Sequence, residues 1–294
     1  MTDLRIGVVG IPGKWSTEAL ADAVEERTGF RLVIDMGHVT LDLQRGEMLY
    51  DNIDLCKLDG LIIKKISEIY KPDVLDRMEI LRYAQAKGVQ VFSDPEAIIR
   101  LIDRLACTVT LAATGVPIPP TVITEDPEVA LETATEFGTA VFKPLFSTKA
   151  RGMALIEGDS FRAINQIASF ASDNPVMYIQ KKLDLSGKDL GLIFLDGEYL
   201  GTYARVAQGK TWNTTIDSGG KYEPFEPDAE LIEMARKAQE PFGLTFTTVD
   251  VALTPQGPIV FEVSAFGGYG GAKYACGIDA PGLVADHVIA KIRG

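Results

Sequence analysis

Along the first hundred residues, short apolar runs alternate with longer stretches whose apolar positions recur every three or four residues. RIGVVG (5–10), RLVID (31–35), LDGLIIKK (58–65) and VQVF (89–92) read as strands. STEALADAVEERTG (16–29) reads as a helix with Ser16 as N-cap and Gly29 as its stop. PDVLDRMEILRYAQAKG (72–88) is an amphipathic helix ending at Gly88. Alternating strands and helices of this kind predict a parallel, doubly wound α/β sheet.

The pattern changes after residue 94. DPEAIIRLIDRLACTVTLAATG (94–115) reads as one helical stretch, and Pro117, Pro119 and Pro120 then favour an extended connector over helix. TAVFKPL (139–145) and MALI (153–156) read as paired strands, FRAINQIASFA (161–171) as a helix and VMYIQKKLDL (176–185) as a strand. LGLIFLDGEYLGTYARVA (190–207) is a hairpin signal, with Asp196-Gly197 as a favoured two-residue turn. FTTVDVAL–TPQG–PIVFEVSA (246–265) is a second hairpin, and helices fall at PDAELIEMARKAQEPFG (227–243) and APGLVADHVIAKIRG (280–294). The expected division is 1–100, a Rossmann-like domain, then 101–183, a small central unit, then 184–294, an α+β C-terminal unit.

Composition narrows the chemistry. A chain of 294 residues, 46% hydrophobic, supports two or three modest cores. The net charge of −12 argues against nucleic acid as a partner, since a polyanion is repelled. No stretch has the length of a membrane span, and MTDLRIGVVG has no basic and then apolar leader, so no membrane partner is expected. Cys56, Cys107 and Cys276 are far apart with no CxxC pair, which fits a reducing cytoplasm. His38 and His287 are the only histidines, so histidine-based chemistry has little material.

Charged residues in apolar runs are the informative exceptions. Asp250 and Glu262 interrupt the two strands of one hairpin, where a carboxylate is costly unless paired or bound to a cation. Ser264 follows on the same strand face as Glu262. Together they are suitable oxygen ligands for Mg²⁺, which keeps its other positions for water and phosphate; the bland alternative puts both acids on a solvated face. Lys143 ends a strand before a basic loop whose Ser147, Thr148, Lys149, Arg151 and Gly152 suit phosphate oxygens, although a charged surface turn has the same composition. Gln180, Lys181, Lys182 and Leu183 form a strand end able to pair with an adenine edge, and Asp189 lies where it could meet a ribose hydroxyl. GVVGIPG (7–13) has GxxGxxG spacing, which any strand-to-helix turn in such a sheet attracts.

Taken in order, RIGVVG, DGLIIKK, DRLACTVTLAATGVPIPPTVI, AVFKPLFSTKARGMALI, VMYIQKKL, KDLGLIFLDGEYLGTYARVA, VDVAL, VFEVSA and GIDAPGLVADHVI resemble the ATP-grasp fold across nearly the whole chain. The likeness is to its RimK-like branch of carboxylate–amine ligases, and also to the GAK-system ATP-grasp proteins. The resemblance implies an ATP-grasp fold behind an N-terminal doubly wound pre-ATP-grasp domain. It also implies an ATP- and Mg²⁺-dependent ligase, with Mn²⁺ as a substitute metal. ATP would phosphorylate a carboxylate, and an amine would attack the acyl-phosphate to give an amide, ADP and phosphate. The substrates would be a small-molecule or peptide carboxylate and an amine, and a homo-oligomer is compatible with the family. Lys143 matches the family lysine on the α/β-phosphates and 146–152 its lid. Gln180 to Leu183 match the adenine hinge, with Asp189 at the polar position after it. Asp250 and Glu262 match the metal carboxylates, and Arg205 the arginine near the transferred phosphate.

Several positions depart from the family. Arg104 stands for a lysine, Ser264 for an asparagine, and Gly191 for an arginine. Asn213, Thr215 and Ser218 replace an arginine, an asparagine and a second arginine in TWNTTIDSGG. Fewer cations around the acceptor pocket argue against glutamate-like or polyanionic substrates. They also support an alternative reading, a non-catalytic ATP-binding protein on a degenerate ATP-grasp scaffold with a regulatory or partner-binding role. A dinucleotide-dependent oxidoreductase would rest on GVVGIPG alone.

Overall fold

The computed structural model describes residues 4–148, 150–185, 187–207 and 220–294. Its N-terminal sheet contains β1 (Ile6–Val9), β2 (Val33–Ile34), β6 (Gly60–Ile63) and β7 (Gln90–Phe92), all parallel, in the order β2-β1-β6-β7. Every residue of β1 and β6 is buried, as expected of parallel strands covered on both faces. Helices α1 (Trp15–Thr28) and α2 (Asp73–Ala86) complete the doubly wound unit. Ser16 is not the N-cap of α1. The Lys14 carbonyl already accepts the Thr17 and Glu18 N–H groups, so helix begins at Trp15, and the Glu18 carboxylate instead receives the Gly13 N–H at 2.6 Å. Gly29 ends the helix at φ 73°, as the sequence predicts. A meander that the sequence does not announce, β3 (Thr40–Asp42), β4 (Glu47–Tyr50) and β5 (Ile53–Asp54), lies between β2 and β6.

The helical stretch 94–115 is two helices, α3 (Pro95–Ile102) and α4 (Arg104–Thr114). They break at Asp103, whose extended backbone leaves its carboxylate free to cap α4 through the Leu105 N–H at 2.9 Å. The central unit is β8 (Thr121–Thr124), α5 (Pro127–Phe137), β9 (Thr139–Lys143), β10 (Ala154–Glu157), α6 (Ala163–Asp173) and β11 (Met177–Lys181). Its four strands are antiparallel in the order β10-β9-β11-β8, and Phe142, Ile156, Ile167, Phe170, Met177 and Ile179 form a core drawn from this unit alone.

The C-terminal sheet is antiparallel, β14-β13-β12-β15-β16, from β12 (Lys188–Leu195), β13 (Glu198–Val206), β14 (Lys221–Pro224), β15 (Phe246–Thr254) and β16 (Gly257–Val263). The β12–β13 turn has positive φ at both Asp196 (48°) and Gly197 (81°), which matches the right-handed twist of the strands it joins. Helices α7 (Ala229–Gln239), α8 (Tyr269–Cys276) and α9 (Ala280–Arg293) cover the sheet. Unlike the central unit, the N- and C-terminal sheets share their cores: Ile6, Val8 and Leu20 belong to one buried cluster with Ile193, Tyr203 and Val288. Among the described residues, no helix is long and apolar enough to cross a membrane.

Candidate active site

A cavity of about 480 Å³ opens between the central and C-terminal sheets and reaches the N-terminal unit. It brings together Arg104, Lys143, Ser147, Thr148, Gln180, Lys181, Lys182, Leu183, Asp189, Arg205, Asp250, Glu262 and Ser264, all expected from the sequence. Arg151 is not drawn in; its guanidinium donates to the Glu68 carbonyl at 3.3 Å. Gly152 supplies a left-handed turn (φ 69°) beside the lining residues Ala150 and Met153. Lys149, Asn213, Thr215 and Ser218 lie outside the described residues.

The central wall is set by strand register. Lys143 on β9 faces Tyr178 on β11, and the Lys143 ammonium donates to the Gln180 side-chain carbonyl. The Gln180 amide in turn donates to Thr121 Oγ1 and the Tyr178 hydroxyl, both at 3.1 Å, so the lysine's partner is held from behind. Burial pushes the Lys143 ammonium down to about 7; the Arg104 charge adds to this and Glu262 opposes it. Arg104, first residue of α4, donates to the Pro144 carbonyl and Ser147 Oγ, each at 3.1 Å, and lies 3.6 Å from Glu262 Oε2. One guanidinium thus joins the loop after β9 to the carboxylate strand.

The opposite wall is a row of residues in register: Tyr203, Gly191, Asp250 and Glu262 on β13, β12, β15 and β16. The Gly191 position leaves room for aromatic bulk, since a Cβ there would stand 2.3 Å from Tyr203 Cζ. Asp189 pairs with Arg205 across β12 and β13, and the Arg205 fork donates from Nε to both Asp189 oxygens while Nη2 reaches Asp250 Oδ2 at 2.9 Å. Burial works against the Arg205 charge, but Asp250 and Asp189 outweigh it and hold the guanidinium above its ordinary range.

Asp250 and Glu262 differ sharply in environment. Asp250 is buried, and among the described residues its Oδ1 is the buried side-chain polar atom without a hydrogen-bond partner. Burial, with the charges of Glu262 and Asp189, pushes its carboxyl up to about 7 against the pull of Arg205. The Glu262 side chain is 48% exposed. Between them the β15–β16 ladder slips, leaving Phe261 as the extra residue of a bulge, so Phe261 and Glu262 both line the cavity where strict alternation would separate them. Among the described residues, no three His, Cys, Asp or Glu side chains gather as a self-sufficient metal cage. The unsatisfied Asp250 oxygen beside an accessible Glu262 and the Ser264 position is instead a partial oxygen set of the kind that suits Mg²⁺ completed by water and phosphate.

Sequence reasoning missed Tyr203 over Gly191, and it missed Lys65, Tyr70 and Phe266, which line the end of the cavity nearest the N-terminal sheet. The signal for the latter was the Lys64-Lys65 pair leaving a parallel strand.

A parallel N-terminal sheet followed by two antiparallel four- and five-stranded sheets, with a cation–carboxylate cleft between those two, is the arrangement of an ATP-grasp enzyme. Residues 102–289 match the RimK-like ATP-grasp domain, and the chain belongs to that family. It is 28% identical over 264 residues to the tetrahydromethanopterin:alpha-L-glutamate ligase of Methanosarcina acetivorans, covering 84% of this chain and 82% of the relative. It is 27% identical over 297 residues to a probable alpha-L-glutamate ligase of Parasynechococcus marenigrum, covering 98% of this chain and 62% of that longer protein. The ATP-grasp ligase PsnB, solved with a phosphomimetic variant of a minimal precursor, Mg and ADP, superposes with a TM-score of 0.76 at 19% identity over 99% of both chains. The chain is therefore an ATP-grasp ligase of the carboxylate–amine class.

Proposed function

We propose that the cleft binds Mg·ATP with the adenine edge against Gln180–Leu183, and with its phosphates on Lys143, Arg104, Ser147 and Thr148. Asp250, Glu262 and Ser264 hold Mg²⁺ in this reading, with Mn²⁺ able to replace it, and Arg205 neutralises the phosphoryl group in transfer. The bound metal would supply charge neutralisation on the phosphates. The observation that carries the assignment is the Asp250–Glu262 pair, one oxygen buried without a partner and its neighbour open to the cavity.

The protein's own groups account for the rest. Positioning and charge neutralisation are what phosphoryl transfer needs. A carboxylate oxygen attacks the γ-phosphorus, the bond to the β,γ-bridging oxygen breaks, and ADP departs. The amine nitrogen then attacks the acyl carbon of the acyl-phosphate, phosphate leaves, and the nitrogen loses a proton. Arg104, tied to both Ser147 and Glu262, couples the loop over the phosphates to the metal strand. Asp189 holds the Arg205 fork through both of its carboxylate oxygens. The division near residues 100 and 183 makes the central unit the upper jaw of the cleft. ATP as co-substrate and the free Cys56, Cys107 and Cys276 support a cytoplasmic setting. The names of the relatives make L-glutamate the first amine to try.

The test is ADP release over a panel of carboxylates and amines, with mass spectrometry of the products. A new amide formed with one ADP per bond supports the reading. ATP bound without turnover on any pair, or turnover unaffected by Glu262→Gln, overturns it.

A further inference from the structure

Lys64 is a buried charge that the proposed reaction does not use. It directly follows β6, at the strand crossing where β2 and β6 lie on opposite flanks of β1. Its backbone N–H donates to the Val9 carbonyl at 2.8 Å, which ties it to the carboxyl end of β1. Its side chain leaves the N-terminal unit. The ammonium donates to the Gly267 carbonyl at 2.6 Å and lies 4.0 Å from the centre of the Tyr269 ring.

Among the described residues no carboxylate pairs with this ammonium, and burial, with the Lys65 charge, pushes it down to about 7. One carbonyl and one ring face are poor replacements for the water it would have in solution, so the folded protein carries this cation against its own stability. Local penalties of that kind concentrate at functional positions.

What Lys64 grips gives the penalty a purpose. Gly267 belongs to the turn between β16 and α8, the segment that directly follows the carboxylate strand. The start of that turn is held by β15: the Ser264 N–H donates to the Thr248 carbonyl at 2.9 Å, and Thr247 Oγ1 donates to the Ser264 carbonyl at 2.7 Å. Gly267 also packs so closely that a Cβ would stand 2.8 Å from the Phe246 ring and 2.9 Å from the Thr247 backbone. Ser264, Ala265 and Phe266, between these grips, line the cavity. β15 thus fixes where the turn begins, and Lys64 fixes where it ends.

We propose that Lys64 is a positioning residue: from the N-terminal unit it holds the Gly267 backbone, and through it the direction in which Ser264 presents its hydroxyl to Mg²⁺, at the expense of apo stability. This rests on the reading of Asp250, Glu262 and Ser264 as the metal site. A cavity of about 20 Å³ adjoins Lys64, Gly267 and Ser93, large enough for one water.

Lys64→Met tests the proposal, because it removes the charge and keeps an unbranched side chain. The apo variant should melt no lower than the parent, since no ammonium is left to bury and a water in the small cavity can donate to the Gly267 carbonyl. Its apparent Mg²⁺ affinity, read by thermal shift at fixed ATP, should fall roughly tenfold, the scale of losing a group that orients a metal ligand. Binding of ATP in EDTA, measured by calorimetry, should match the parent. Overlapping Mg²⁺ titrations of variant and parent overturn the proposal. So does an apo variant that fails to fold or melts well below the parent, since the lysine would then serve stability. A fall in ATP affinity in EDTA as large as that in Mg²⁺ affinity also overturns it, because the lysine would then act on the nucleotide. A parent without Mg²⁺-dependent stabilisation instead overturns the metal reading beneath it.

Discussion

Asp250 and Glu262 stand directly opposite one another on β15 and β16, the first buried with an unpartnered oxygen and the second half open to the cavity. Two carboxylates so placed repel each other until a cation is shared between them. Glu262→Gln should therefore leave the apo fold nearly as stable as the parent while reducing Mg²⁺ dependence and Mg·ATP stabilisation by roughly tenfold or more in apparent affinity. Thermal shift against Mg²⁺ at fixed ATP reads this, and superimposable titrations for mutant and parent would remove the metal assignment.

Lys143 sets a pH signature. Its ammonium is pushed down to about 7 in the free protein, so above that pH the side chain is largely neutral. Polyphosphate favours the charged form and raises the value, so binding ATP at pH 8 takes up a proton. Calorimetry in buffers of different ionisation enthalpy should show this uptake, together with affinity that declines as pH rises from 7 toward 9. Lys143→Ala should abolish the uptake and bind ATP more weakly. Uptake that persists in the variant would mean another group titrates.

Arg205 neutralises two buried carboxylates at once. Arg205→Met strands both, and the apo protein should lose about 3–5 kcal/mol at pH 8. The loss should shrink as pH falls, because Asp250, whose carboxyl already sits near 7, takes a proton when its counter-charge is gone. Urea unfolding at pH 8 and pH 5.5 measures both, and equal losses at the two pH values would contradict the account.

Gly191 and Tyr203 compete for one volume. A methyl at 191 would stand 2.3 Å from Tyr203 Cζ and 2.5 Å from its hydroxyl, so Gly191→Ala should destabilise by about 1–3 kcal/mol through overpacking. Combined with Tyr203→Leu, which removes the offending atoms, the cost should fall well below the sum of the single changes. Strict additivity in denaturant unfolding would show that the two side chains do not meet.

The elements legible in the sequence are those with a clean period: the four parallel strands, the two long hairpins and the amphipathic helices. Asp103 hides a helix break because its neighbours all favour helix, and only its capping bond to Leu105 ends one helix and starts the next. The β3–β5 meander is invisible because its strands are two to four residues long and carry polar side chains. Helix α8 runs through YGGAKYAC, where glycine disfavours helix locally, yet Gly271 lies against the Tyr203 ring, where a Cβ would approach to 2.3 Å. The site follows the same rule. Lys143, Asp250 and Glu262 stand out as charges in apolar strands, whereas Tyr203 over Gly191, Phe261 in its bulge and Lys65 at the strand crossing depend on which segments meet.

The core of the central unit, from Phe142 and Ile156 to Phe170 and Ile179, borrows no residue from either neighbouring sheet. Beyond that core, the unit is tied to α4 by the Arg104 N–H on the Leu145 carbonyl, the Arg104 guanidinium on Ser147 and the buried Thr108–Tyr178 hydroxyl pair. In the proposed reading the nucleotide acts as a rivet: seated against Lys143 on one plate and the carboxylates on the other, it fastens together two plates with separate cores.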